Sequence, residues 1–263
     1  HPLVDWRAHG SGIDLTQAIA WSSNIYMFMA VCGIPNGSLQ PHKAIGKDVD
    51  SSASIFAYYQ RAFGMGQPTG IDIPGEDIGR VPDPAWKARN YAGPEYTDND
   101  RDWFYADTCF TAIGQQDVLA TPLQIARMTA AIATGKLFTP HVAKDILDAD
   151  GKVVRTIKPD WKSVPVDEAN LAAVRRGMHE SVLAGAGLRA QVPGMDIAGK
   201  TGTAEFGTQR ADLTYDQHAW FTGYYPYNDP EYVVTVYFDY GVGGDKAAPA
   251  AANIFSWMNQ NLK

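Results

Sequence analysis

Residues 194–205 read GMDIAGKTGTAE, and two structures compete for them. Residues 194–201 fit G-x-x-x-x-G-K-[ST], the loop whose backbone N–H groups cradle nucleotide phosphates. The segment Lys200-Thr201-Gly202-Thr203 equally suits a strand at the rim of a cleft. There Gly202 clears room for a substrate backbone, Thr201 and Thr203 offer hydroxyls, and Lys200 brings a positive charge. A phosphate loop has to leave a buried strand and run straight into a helix whose N-terminus faces the phosphates. Here RAQVP, ending in Pro193, precedes the motif, and the Thr- and Gly-rich TGTAEFGT follows it. Residues 233–239, VVTVYFD, do imitate the apolar strand ending in Asp that holds Mg²⁺ in phosphate-loop enzymes, but two short matches out of context weigh little. The strand reading is preferred. A charged edge strand can also serve only to blunt a sheet edge, so the rest of the chain has to decide what it does.

Outward from this stretch, DIAGKTGTAEF (196–206), HAWFTGYY (218–225) and EYVVTVYFDY (231–240) alternate as strands separated by turns, and residues 248–262 close the chain as a helix. The C-terminal third is therefore an antiparallel sheet with a helix against it. The trio His218-Ala219-Trp220 is read as strand packing, and Glu205 and Asp245 as ordinary surface carboxylates. Upstream, residues 167–183 form a long helix, and 141–157 a hairpin turning at Asp150-Gly151. Thr121 as N-cap, Pro122 and Gln124 start a helix that runs to Thr134 before Gly135. Residues 50–63 form another helix, with Gly64 beyond its end, and from there to about Asp102 the chain reads as loop. Near the start, Asp14 and Gln17 make a capping box for a helical pattern reaching Gly33, and the pair Ser22-Ser23 breaks it into two helices that meet at a tight junction. Neither repeats nor a domain boundary are visible.

The 263 residues carry a net charge of −7 with no basic cluster, which argues against a nucleic-acid or anionic-membrane surface. The longest apolar stretch, residues 25–32, falls far short of the roughly 20 residues that cross a bilayer, and no signal peptide opens the chain, so any membrane anchor is expected outside these residues. Cys32 and Cys109 lack metal-ligand spacing. Both sit in apolar settings, MAVCGI and DTCFTAI, where free buried thiols are expected in preference to a disulfide.

Ser22-Ser23-Asn24 is an S-x-N element at the helix junction, far upstream of Lys-Thr-Gly-Thr. Alone it is an ordinary helix cap. With IDLTQAIAWSSNIYMF, FGMGQPTGIDIPGE, TAIGQQDVLATPLQIARMTAAIA, GKTGTAE and HAWFTGYYP in that order, nearly the whole chain resembles the class B penicillin-binding proteins, the DD-transpeptidases of bacterial cell-wall synthesis. RVPDPAWK and DWFYADT resemble the elongation, rod-shape type. The resemblance implies an α+β penicillin-binding/serine β-lactamase-like fold, with an antiparallel sheet flanked by helices and a helical subdomain, the sheet being incomplete in this chain.

In that family a serine attacks the penultimate D-alanine carbonyl of a stem peptide, and a neighbouring amine resolves the acyl-enzyme. Carried over, Ser22 passes a proton to the leaving nitrogen, the Asn24 amide holds the acyl-side backbone, and Lys200 tunes Ser22 and attracts the carboxylate. Thr201 and Thr203 bind that carboxylate beside Gly202, and the Thr203 N–H supplies half of the oxyanion hole. The family's S-x-x-K is missing, since no lysine has a serine three positions earlier. The resemblance thus implies that residues 1–263 are the C-terminal part of the transpeptidase domain, with the nucleophile and its lysine upstream; an inactive homologue is the rival. It further implies peptidoglycan stem peptides and β-lactams as ligands, no cofactor or metal, and a membrane glycosyltransferase partner. The expected location is the periplasmic face of the cytoplasmic membrane, reached by an anchor outside these residues. A β-lactam-sensing, non-catalytic domain and, more remotely, a phosphate-loop nucleotide hydrolase are the alternatives. A β-lactamase would need a positioned Glu to activate water, and no convincing one is found.

Overall fold

A computed structural model describes residues 5–10, 12–33, 45–46 and 49–262. The first helix, α1 (Leu15–Trp21), starts with the expected capping box: the Asp14 carboxylate accepts from Gln17 N at 2.8 Å and Gln17 Oε1 accepts from Asp14 N at 3.1 Å. Ser23 caps α2 (Asn24–Cys32), so the helical pattern divides at Ser22-Ser23 as read. Next come α3 (Val49–Ala62), α4 (Pro84–Asn90), α5 (Asp98–Arg101) and α6 (Tyr105–Ala112). The stretch read as loop to about Asp102 thus contains two short helices. They are marginal by length, and tertiary contacts hold them. The Lys87 ammonium of α4 donates to Asp107 Oδ2 of α6 at 2.7 Å, and both residues are buried.

Helix α7 (Pro122–Thr134) has the Thr121/Gln124 capping box and ends at left-handed Gly135. Its cap residue Gln124 is fully buried and donates Nε2 to Gln67 O and Ile78 O, tying down the irregular segment before α4. Beyond it, β1 (Lys136–Thr139), β2 (Asp145–Leu147), β3 (Val153–Thr156) and β4 (Asp160–Ser163) follow. β2 and β3 form the expected hairpin, while β1 pairs antiparallel with β4, a contact across the hairpin that no local pattern announced.

Helix α8 (Glu168–Ala184) leads to a sheet of β5 (Ala198–Phe206), β6 (Asp216–Tyr225) and β7 (Tyr232–Phe238), ordered β5-β6-β7 and antiparallel throughout. Three strands among the described residues match the incomplete sheet expected. Phe221, Val234, Val236 and Ile197 pack one face onto Phe255 and Ala251 of the last helix, α9 (Ala248–Asn261). On the other face Tyr224 and Ala198 meet Ala133 of α7, Met178 of α8 and Ile19 of α1. Helices α1 and α8 approach closely where Gly177 lies: a Cβ there would sit 2.6 Å from Ile19 Cβ. That contact places the end of α1, and with it Ser22, beside β5.

The expectation of free thiols is corrected. Cys32 at the end of α2 and Cys109 in α6 are disulfide-bonded, their Cα atoms 5.8 Å apart. Their apolar settings are those of a covalent tie between two helices.

Candidate active site

The junction between α1 and α2 is strained. Ser22 adopts the left-handed conformation, φ 59° and ψ 48°, which costs a non-glycine residue on the order of 1 kcal/mol and persists only where the surroundings over-determine it. Ser22 N–H donates to Ile19 O at 3.2 Å and Ser23 N–H to Ala18 O at 2.9 Å, while Trp6 Nε1 donates to Ser22 O at 2.9 Å. Glycine would fit this backbone without strain; serine brings a hydroxyl.

Asp5 organises the same turn from outside the motif. Its carboxylate accepts from Ser23 Oγ at 2.6 Å and from the N–H groups of Asn24 at 3.2 Å and Ile25 at 3.4 Å, an anion seated at the start of α2. His9 Nε2 lies 3.4 Å from it without making a hydrogen bond. Burial raises the Asp5 pKa, but the Ser23 hydroxyl and the N–H groups of Asn24, Trp6 and Ile25 outweigh this, leaving it below its ordinary value. Replacing Asp5 by Ala should cost about 2 kcal/mol, since the buried Ser23 hydroxyl and two helix N–H groups lose their acceptor. Denaturant midpoints would show it. Because the folded carboxyl ionises below its ordinary value, its stabilisation is complete above about pH 4 and lost as pH falls through the lower folded value. A mutant as stable as the parent at neutral pH would contradict this role.

Residues 194–205 form a turn and then β5, with no helix following, which disposes of the phosphate-loop reading. Lys200 Nζ donates to Ser22 Oγ at 2.6 Å and to Thr201 O at 2.9 Å, so residues 178 apart in sequence share one site. Lys200 is partly exposed as a residue, but its amine end is enclosed, and desolvation lowers its pKa to about 8. Among the described residues no carboxylate pairs with it. An enclosed cation without a counter-ion is costly, and it suits an anionic ligand.

Asn24 opens α2, its backbone held by Asp5; among the described residues no hydrogen bond engages its side-chain amide. Thr203 Oγ1 accepts from Gly243 N–H at 3.1 Å, which leaves its own hydroxyl hydrogen free to donate. Gly202 is crowded from within the fold: a Cβ on it would meet Trp220 Cβ at 3.2 Å, and one on Gly243 would lie 2.1 Å from Gly202 O. The packing reading of β6 is upheld, with Ala219 fully buried, the His218 ring stacked on Phe206 and Trp220 against Tyr237. Asp245 forms an exposed pair with Arg189, a contact of little energetic weight. Asp5, Gly243 and Gln115, whose amide bonds to Thr203 and Glu205, were not singled out from the sequence. Only the quoted run TAIGQQ contained one of them.

A serine on a strained turn thus presents its hydroxyl to an enclosed lysine, which has no carboxylate partner and lies on an edge strand among the described residues, against a helix-backed antiparallel sheet. The chain belongs to the penicillin-binding protein transpeptidase family: the family described as "Penicillin binding protein transpeptidase domain" matches residues 2–256. It is 32% identical over 277 residues to the peptidoglycan D,D-transpeptidase MrdA of Haemophilus influenzae, spanning 98% of this chain and 38% of that protein. Among solved structures it resembles penicillin-binding protein PBP2 from Helicobacter pylori, alone and in complex with MreC, at 29% identity and TM-score 0.72, covering 98% and 97% of this chain and 42% of PBP2. It also resembles a chain of a peptidoglycan synthase complex solved for the coordination of polymerization and crosslinking, at 31% identity and TM-score 0.73, covering 96% of this chain and 38% of that one. The class B, elongation-type resemblance read from the motifs is upheld. The chain spans well under half the length of these relatives.

Proposed function

We propose that this chain is the C-terminal part of the catalytic domain of a peptidoglycan DD-transpeptidase that cross-links stem peptides through a serine acyl-enzyme and is acylated by β-lactams. The observation that carries the reading is the 2.6 Å hydrogen bond from Lys200 Nζ to Ser22 Oγ, within a chain of this family. During acylation the nucleophilic serine passes its hydroxyl proton to its partner lysine, its oxygen forms an ester with the penultimate D-alanine carbonyl, the bond to the terminal D-alanine breaks, and the departing nitrogen needs a proton. Lys200 donating to Ser22, and Ser22 donating onward, supplies it. The Lys200 charge and the Thr201 and Thr203 hydroxyls hold the substrate carboxylate, and the Asn24 amide holds the acyl-side backbone beside Gly202. The Thr203 N–H stabilises the developing oxyanion. With no S-x-x-K in the chain, the nucleophilic serine and its lysine come from residues outside it.

A peptidoglycan substrate calls for a site at the outer face of the cytoplasmic membrane, and that location, with an anchor in a segment outside this chain, is part of the proposal. Among the described residues no helix is long and apolar enough to cross a membrane. A membrane glycosyltransferase of the elongation machinery is the proposed partner, in keeping with the relatives seen in complex with MreC and in a synthase complex.

The test is acylation of the whole gene product by a labelled penicillin across pH. Because the depressed lysine is protonated below about 8, the rate should hold up to that pH and then fall by up to about tenfold per unit as the proton and the charge are lost. Absence of labelling, or a rate still climbing well above pH 8, would overturn the reading.

A further inference from the structure

β5 is an edge strand among the described residues, and antiparallel alternation turns the N–H and C=O groups of Thr201, Thr203 and Glu205 away from β6. Gln115 meets that edge. Its Nε2 donates to Thr203 O at 3.0 Å and its Oε1 accepts from Glu205 N–H at 3.1 Å. One side-chain amide makes both bonds that the N–H and C=O of one residue in an added parallel strand would make. Since Lys200 Nζ donates to Thr201 O at 2.9 Å, the carbonyls on either side of the Thr203 N–H are both held. The direction of that N–H is therefore set by Lys200 from one end and by Gln115 from the other.

Gln115 is itself firmly placed. Its N–H donates to Phe110 O at 3.0 Å, between Gly114 at φ 74° and Gln116 at φ 62°. Left-handed Gln116 costs on the order of 1 kcal/mol, and its amide donates to Asp107 Oδ1. The other oxygen of Asp107 accepts from Lys87 Nζ at 2.7 Å and Phe104 N–H at 2.8 Å. A buried ion pair thus braces a strained loop whose tip grips the edge of β5.

We infer that Gln115 is a positioning residue for acyl transfer: it holds the Thr203 peptide so that its N–H points at the oxygen of the acyl group bound in the cleft. This rests on the transpeptidase reading, in which that N–H forms half of the oxyanion hole. The experiment is penicillin acylation of the whole gene product and of its Gln115→Ala and Gln115→Glu variants. Alanine should lower the second-order acylation rate about tenfold, part of the roughly 100-fold that loss of an oxyanion donor costs, and speed amide exchange at Glu205. Glutamate matches the size of glutamine. Ionised near pH 7.5 it faces the Thr203 carbonyl with an oxygen and should be at least as impaired as alanine. Protonated as pH falls through the ordinary glutamate value of about 4.3, it can again donate to Thr203 O, and its rate relative to the parent should recover. A merely structural role would leave that ratio flat, so a flat ratio, or both variants within about twofold of the parent, overturns the inference. Should the alanine variant fail to fold, the glutamate ratio decides alone. A parent protein that penicillin does not acylate would remove the transpeptidase reading and this inference with it, whereas an acylated parent with unaffected variants would remove only the inference.

Discussion

Replacing Lys200 by alanine in the whole gene product is expected to slow acylation by labelled penicillin by about 100-fold or more. Two contributions vanish together: the cation that receives the ligand carboxylate, and the donor that lies 2.6 Å from Ser22 Oγ. Stability should move little, or rise. The amine is enclosed, desolvation holds its pKa near 8, and no carboxylate among the described residues compensates it, so its removal relieves a cost in the free protein. The combination of lost acylation with an unchanged or raised melting temperature separates a catalytic lysine from a structural one. Lys87, buried and paired with Asp107, should behave in the opposite way and destabilise the fold when truncated. A folded Lys200→Ala protein that labels at near-parental rates would refute the site.

Reduction of the disulfide between Cys32 and Cys109, or Cys32→Ala, is expected to remove about 4.5 kcal/mol of stability, the chain-entropy value for a loop of their sequence separation of 77. Against the roughly 5–15 kcal/mol that a domain possesses, this is a large fraction. The bond joins the end of α2, which opens with Asn24, to α6, which leads into the Gln115 loop, so both flanks of the cleft loosen together. Denaturant midpoints with and without reductant measure the effect. Equal midpoints, with both thiols free by mass spectrometry in the oxidised sample, would refute it.

Much was legible where the cause is local. The capping boxes at Asp14/Gln17 and Thr121/Gln124, the break at Ser22-Ser23, the turn at Asp150-Gly151 and the alternation within 218–225 and 231–240 are decided by neighbours a few residues apart, and the structure forms each there to within two residues. The choice of strand over phosphate loop was also local, because Pro193 and the Thr-Gly run deny the motif its helix. The order of the motifs also implies that Ser22 and Lys200 share a site, and the two meet at 2.6 Å.

Other features depend on approach between distant segments. Helix α4 is tied down by the Lys87–Asp107 pair and α5 by Arg101, whose guanidinium donates to the carbonyls of Tyr91, Gly93 and Tyr96, so a stretch rich in Pro, Asn and Asp gave no periodicity to read. The cysteine pairing depends on two Cα atoms coming to 5.8 Å, a quantity that apolar flanks leave undetermined. Asp5 and Gln115 act on backbone groups 19 to 90 residues away, and a carboxylate or an amide in a loop carries no mark of that. Residue identity by itself determined that a lysine, a serine and an asparagine were present in the right order. Only the tertiary structure decided that the lysine amine is enclosed, with no counter-ion among the described residues, and that desolvation lowers its pKa to about 8, because desolvation is a property of what surrounds a group and not of the group.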